Sequence, residues 1–234
     1  MKRSKRYREL LKLYDKTKVY SLDEALETVK KLGTAKFDET VEAAFVLGIE
    51  ASKGDQQVRG SATLPKGSGK KVKVLVFAVG EKAEEARNAG ADYVGDDDLI
   101  QKIQKEGFLD FDVAIATPDM MKKVGRLGRI LGTRGLMPNP KVGTVTNNIE
   151  STVKEFKSGK ATFRNDKAGN LHTIVGKVSM PVEDLKENLL AVSKAIMALR
   201  PEKAKGKFFK KLTLSTTQGT GVKVDADELT NLVK

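Results

Sequence analysis

Lys66-Gly67-Ser68-Gly69-Lys70-Lys71-Val72-Lys73-Val74-Leu75-Val76-Phe77-Ala78-Val79-Gly80 holds the boundary that divides this chain. Its first five residues are flexible and charged, the composition of a linker. From 72 to 79 the run is almost continuously apolar, as a strand buried on both faces of a parallel sheet must be. Downstream, 82–89 is helix-like, 92–95 holds a short strand, 97–105 forms another helix and 113–116 is again a buried-type strand. That alternation predicts βαβ units, a parallel sheet covered by helices. A helix over 149–156 closes the segment, and Ser158-Gly159 marks a second boundary.

On either side of this segment the texture changes. Residues 4–14 read as a short basic helix, with Leu10, Leu11 and Tyr14 on one side and Arg3, Lys5, Arg6, Arg8 and Lys12 around the rest. Ser21-Leu22-Asp23-Glu24 reads as a capping box for a helix whose Leu22, Ala25, Leu26 and Val29 recur at helical spacing until Gly33. Val41, Ala43, Phe45, Leu47 and Ile49 alternate as in a half-buried strand, with 58–64 as its partner. Beyond the second boundary, 160–165 and 171–178 read as strands joined across the hairpin composition Asp166-Lys167-Ala168-Gly169-Asn170. A helix over 182–199 lies between Pro181 and Pro201, with Leu185, Leu189, Val192 and Ile196 as its buried stripe. Strands at 208–215 and 222–224 end the pattern around a Ser/Thr/Gly loop. The expected fold class is α/β: a split α+β domain, residues 1–67 plus 160–234, interrupted by an α/β insertion, residues 68–159. Two chain crossings side by side make a natural hinge.

The 234 residues contain no Cys, which excludes disulfides, thiolate nucleophiles and cysteine zinc sites. No run approaches the roughly 20 apolar residues that span a bilayer, and no apolar segment follows Met1-Lys2-Arg3-Ser4-Lys5-Arg6, so no membrane and a cytosolic location are expected. Net charge is +12, of which the insertion holds +2 and the two flanks +10. Such charge favours a polyanionic partner gripped by the flanks; lysines scattered over a solvated face, and membrane or acidic-protein partners, are the alternatives.

Catalytic and cofactor chemistry finds little support. A dinucleotide fingerprint needs G-x-G-x-x-G, and only Gly80 stands at the turn after the first buried strand. The stretch 66–71 lacks the first glycine of a phosphate loop, having Leu64 there, and has Lys71 where a metal-binding hydroxyl belongs. Asp96, Asp97 and Asp98 open a predicted helix, where carboxylates suit the positive dipole end. His172 is the sole histidine, which excludes a triad or a histidine metal cluster. No cofactor is expected.

Binding chemistry is better represented. Between Leu131 and Thr144, Pro138, Pro140, Gly132, Gly135 and Gly143 predict a stiff surface loop presenting Arg134 and Lys141, either a rigid connector or a docking element. Ser215-Thr216-Thr217-Gln218-Gly219-Thr220-Gly221 offers hydroxyls and a bared backbone that can donate to phosphate and 2′-hydroxyl oxygens, although such a turn is also a common hairpin. In Thr34-Ala35-Lys36-Phe37-Asp38-Glu39-Thr40, Lys36 can pair with phosphate and Thr40 can donate a hydroxyl. Phe37 is a stacking face or a core residue, and Glu39 organises the segment rather than meeting phosphate. His172, on the strand after the hairpin near Arg164 and Lys177, is a structural residue or a contact.

These motifs, in this order, closely resemble the ribosomal protein L-one family, the RNA-binding protein of the mobile side stalk of the large ribosomal subunit. The resemblance runs from the basic first helix to Val224. It departs at Thr133, where the family usually has Pro, and at Gln218, where Met is usual. It implies RNA contact by Lys36, Phe37, Thr40, Arg164, His172, Lys177, Ser215, Thr216, Thr217, Gln218 and Gly219, with Arg134 and Lys141 as a secondary contact from a Rossmann-like, three-layer insertion. It further implies a structural protein rather than an enzyme, cytoplasmic in the large subunit and monomeric when free. Its partners would be large-subunit ribosomal RNA, exit-site tRNA whose deacylated form it helps release, its own messenger RNA, which it represses, and other ribosomal components. Two competing readings are a nucleotide-dependent enzyme built on the insertion and a general basic nucleic-acid chaperone, which would bind unrelated RNAs equally.

Overall fold

In a computed structural model that describes residues 4–233, the chain starts with helices α1 (Lys5–Leu10) and α2 (Leu22–Leu32) and strands β1 (Thr40–Leu47) and β2 (Arg59–Thr63). An alternating series follows: β3 (Val74–Phe77), α3 (Glu81–Asn88), β4 (Tyr93–Gly95), α4 (Asp97–Glu106) and β5 (Val113–Ala116). Helices α5 (Met121–Val124), α6 (Gly128–Thr133) and α7 (Ile149–Ser158) complete that stretch. The return leg is β6 (Lys160–Arg164), β7 (Asn170–Lys177), α8 (Val182–Ala198), β8 (Phe209–Thr216), β9 (Val222–Val224) and α9 (Ala226–Val233). By contacts the chain forms two units, Met1–Gly69 with Ala161–Lys234, and Lys70–Lys160.

The discontinuous unit is built on an antiparallel sheet of order β7-β1-β8-β9. Alternation along β1 turns Val41, Ala43, Phe45 and Leu47 inward, where they meet the stripes Leu22, Ala25, Leu26 and Val29 of α2 and Leu185, Leu189, Val192 and Ile196 of α8. Each fully buried Val, Leu, Ile or Phe among them contributes about 1.5–3 kcal/mol relative to exposure. Phe45 and Phe209 lie 5.4 Å apart between ring centroids across β1 and β8. Beside this sheet, β2 and β6 form a two-stranded ribbon.

In the second unit β3 pairs in parallel with β4 on one edge and with β5 on the other. Val74 and Val76 pack with Ala83, Ala86, Val153 and Phe156 of α3 and α7, whereas Leu75 and Phe77 pack with Ile100, Ile103 and Leu127 on the opposite face. That two-sided burial is why the sequence of β3 has no polar alternation. Gly159, at φ 114, ends α7 in the left-handed region where a Cβ would be strained.

Several expectations are corrected. Residues 58–64 do not pair with β1: β2 pairs with β6, and β1 is flanked by β7 and β8. The hairpin turn exists, held by the Asp166 carboxylate accepting the amides of Ala168 and Asn170, each at 2.8 Å. Its two strands nevertheless enter different sheets, and next to the turn they are joined by the Asp166 amide donating to Asn170 O at 2.7 Å and by the Asn165 to Leu171 bridge. Ser21 precedes α2 but makes no side-chain cap; Glu228 accepts the Leu22 amide instead, at 3.1 Å. Leu131 to Thr133 are not loop but the end of α6, with Leu131 buried, and Pro138, Val142 and Thr144 are buried as well. The first helix is shorter than expected, ending at Leu10, and Arg3 lies outside the described residues. Helix α9 was not expected at all. Among the described residues no helix is long and apolar enough to cross a membrane.

Candidate nucleic-acid interface

Three ends of the antiparallel sheet converge. Thr40 at the start of β1 stands opposite Lys177 at the end of β7, and Val41 opposite Thr216 at the end of β8. This register brings the segment before β1 against the loop 217–221. The Thr40 amide donates to Thr217 Oγ1 at 3.0 Å, and Lys177 Nζ donates to Thr40 Oγ1 at 2.9 Å and to Asp38 O at 3.1 Å. Asp38 in turn accepts from the Ser179 amide at 3.1 Å and its hydroxyl at 2.8 Å.

Beneath these contacts lies Glu39, only 2% exposed. Its Oε1 accepts the Ala35 amide and its Oε2 the Gln218 amide, both at 2.8 Å, so one carboxylate ties the two loops together. Arg6 of α1 reaches the same place. Its Nε donates to Thr34 Oγ1 at 3.0 Å, its Nη1 to Gln218 Oε1 at 2.8 Å and its Nη2 to Gln218 O at 3.2 Å, with Glu39 Oε1 at 3.7 Å. Burial pushes the Glu39 carboxyl up, but the amides of Gln218 and Ala35, the Thr216 hydroxyl and Arg6 together outweigh it and hold the group below the ordinary glutamate range.

A carboxylate depressed by folding stabilises the native state above its unfolded pKa, and that contribution is lost as pH falls through the folded value. Glu39→Gln is expected to cost about 1–3 kcal/mol near neutrality, because an amide side chain cannot accept both backbone N–H groups without turning its own NH₂ onto one of them. Thermal unfolding of parent and variant from neutral pH into the acid range checks this. The gap between them should close below the glutamate range, and a gap independent of pH would mean that the ionised form is not what holds the loops.

The clamp leaves a polar rim outward. Lys36, Thr217 and Gln218 are exposed, Phe37 is 51% exposed rather than in the core, and Ser215 and Gly219 are half-buried. Thr216 points inward and is buried. His172 is exposed on β7 opposite Ala44, farther along the sheet. Arg164 does not join this group. It ends β6 beside Asn165, which bridges to Leu171, six residues or about 20 Å along β7 from Lys177. Arg134 and Lys141 are exposed on the second unit, Lys141 in a single turn whose Asn139 Oδ1 accepts the Lys141 amide at 2.8 Å. Both departures from the usual pattern have partners: Gln218 is held by Arg6, and the Thr133 hydroxyl donates to Ile130 O at 3.0 Å. In the sequence Arg6 is one of several bases around a helix, and nothing in a helical pattern says which loop a side chain will meet.

Among the described residues no group of His, Cys, Asp or Glu has the arrangement of a metal site. The rim offers one lysine, hydroxyls, amides and one aromatic face.

Residues 29–220 match the ribosomal protein L1p/L10e family. The chain is 61% identical over 229 residues to the large ribosomal subunit protein uL1 of Thermosipho africanus, covering 98% of this chain and 99% of that protein. It is 58% identical to the protein of the same name from Kosmotoga olearia, covering 96% of each, and 56% identical to that of Thermobifida fusca, covering 96% of this chain and 95% of the relative. The chain belongs to the ribosomal protein L1p/L10e family. It is accordingly a ribosomal protein rather than an enzyme, and the resemblance carried by its loops is borne out.

Proposed function

We propose that this chain is a cytoplasmic structural protein of the large ribosomal subunit that binds ribosomal RNA of the side stalk through the rim around Glu39. The observation that carries the reading is the double amide grip of Glu39, which presents Lys36, Phe37, Thr217 and Gly219 as one preformed surface. A preorganised shape of hydroxyls and backbone suits one folded RNA, whereas a general chaperone needs only charge. The +10 carried by residues 1–67 and 160–234 supplies attraction to phosphate and supports a primary contact on that part of the chain. Arg134 and Lys141 supply a secondary contact from the insertion. In the assembled subunit the protein helps deacylated tRNA leave the exit site. Free, it represses translation by binding a similar structure on its own messenger RNA.

The test is competition between a transcribed side-stalk segment and random RNA of equal length across a salt series. Strong preference for the stalk segment is expected; equal affinity would favour the chaperone. Lys36→Ala should weaken binding and flatten the log–log salt slope by roughly 0.7–0.9, one phosphate's worth. Thr217→Ala should weaken binding at an unchanged slope, because it removes no charge. The same slope change in both variants would count against this surface.

A further inference from the structure

Arg59 opens β2 and Arg164 closes β6. The Asn165 amide donates to Val58 O at 3.0 Å, and the Val58 amide donates to Asn165 Oδ1 at 2.7 Å. With β2 and β6 paired, that exchange fixes an antiparallel register in which Arg59 stands directly across from Arg164. Val58, Gly60, Phe163 and Asn165 are buried, so the two arginines share the other face, Arg59 half-buried and Arg164 exposed. Like charges directly opposite on paired strands repel. The nearby carboxylate of Asp166 is occupied by the amides of Ala168 and Asn170 and by the Asn170 side chain. Among the described residues no carboxylate pairs with either guanidinium. Burial, and after it the charge of Arg164, push the Arg59 guanidinium below its ordinary value. Folding alone therefore gains nothing from this pair, whereas an anion bridging the two planar forks would relieve the repulsion with charge-assisted hydrogen bonds.

We propose that Arg59 and Arg164 form a two-guanidinium cradle for one backbone phosphate of the bound RNA, displaced along the protein from the rim around Glu39. The proposal rests on the RNA-binding reading and adds to it a residue, Arg59, and a second anchor. Two anchors about 20 Å apart would require the RNA to keep one fold across both, which a single contact would not.

The full chain and its Arg59→Gln, Arg164→Gln, double and Arg59→Lys variants are titrated with the transcribed side-stalk segment and with random RNA over a salt series, alongside thermal unfolding. Each Gln variant should weaken stalk binding roughly tenfold. The double variant should flatten the slope by roughly 0.7–0.9 in total, because one phosphate is shared. Arg59→Lys should keep the slope and lose affinity, since a point charge lacks the fork. Unfolding midpoints of the Gln variants should be no lower than the parent's. Unchanged affinity and slope would overturn the cradle, as would a slope loss near twice that size, which means separate phosphates, or a midpoint that falls with the affinity. Should Arg59→Gln fail to fold, the exposed Arg164→Gln carries the same comparison. A parent without preference for the stalk segment would sink the proposed function instead, and the slopes on random RNA would still decide the cradle.

Discussion

Replacing Gly219 with valine is expected to lower affinity for the side-stalk RNA at least about 100-fold, equivalent to about 2.7 kcal/mol, while the chain stays folded. A Cβ at this position would lie 2.2 Å from Thr216 Oγ1 and 3.3 Å from Thr216 Cβ. Thr216 is buried at the end of β8 and its backbone pairs with Val41, so its Cβ stays in place and its hydroxyl can turn only within a packed surround. The turn must open instead. Opening it draws the Gln218 amide away from Glu39 and Thr217 away from Thr40, which dissolves the shape that the RNA is proposed to read. The strain itself, about 1–3 kcal/mol, should lower the unfolding midpoint by only a few degrees in a chain of this size. Gel-shift titration and thermal unfolding on the same preparations separate the two effects. Affinity within threefold of the parent would place the contact elsewhere.

Legibility in the sequence followed the range of the interaction concerned. Strand β3 was readable because burial on both faces writes an unbroken apolar run, and α2 and α8 because one-sided burial writes a stripe. Pairing was not readable: 58–64 and 160–165 have the alternation of strands, but alternation records a buried face and not a neighbour. The turn at Asp166 was recognised from composition, yet the ribbon with β2 captures β6 while β1 captures β7. Helix α9 went unseen although Asp225 Oδ1 caps it by accepting the Asp227 amide at 2.8 Å, because its eight residues bury only Leu229 and Val233. At the candidate interface, sequence motifs named the rim. What makes it a unit, Arg6 on α1 reaching Gln218 across 212 positions, is a long-range contact that no local pattern encodes.

Asn188 is another such case. It sits in the buried stripe of α8, 0% exposed, among leucines and valines. The pairing of β1 with β7 slips between Val41 and Glu42, so that Val41 faces Gly176 and Glu42 faces Ile174, and Val175 is the extra residue of a β-bulge. A bulge leaves its carbonyl outside the ladder, and Asn188 Nδ2 donates to it at 2.9 Å. The same amide donates to Gly67 O at 2.9 Å, and Asn188 Oδ1 accepts the Lys66 amide at 3.0 Å, which anchors the chain where it leaves the first unit. Asn188→Leu keeps the volume nearly constant and the helix intact, but strips all three backbone groups of their partner. Val175 O is sealed from water and carries the full cost of an unmade hydrogen bond, while Lys66 and Gly67 recover part of theirs from solvent. A loss of about 3 kcal/mol is expected, which lowers the unfolding midpoint by about 6–12 °C. Amide exchange should accelerate at Lys66 before it does in the β1 ladder, since the anchor is lost locally first. A midpoint within about 2 °C of the parent's would mean that the bulge re-pairs without Asn188, and that the stripe of α8 tolerates a leucine there as it does at its neighbours.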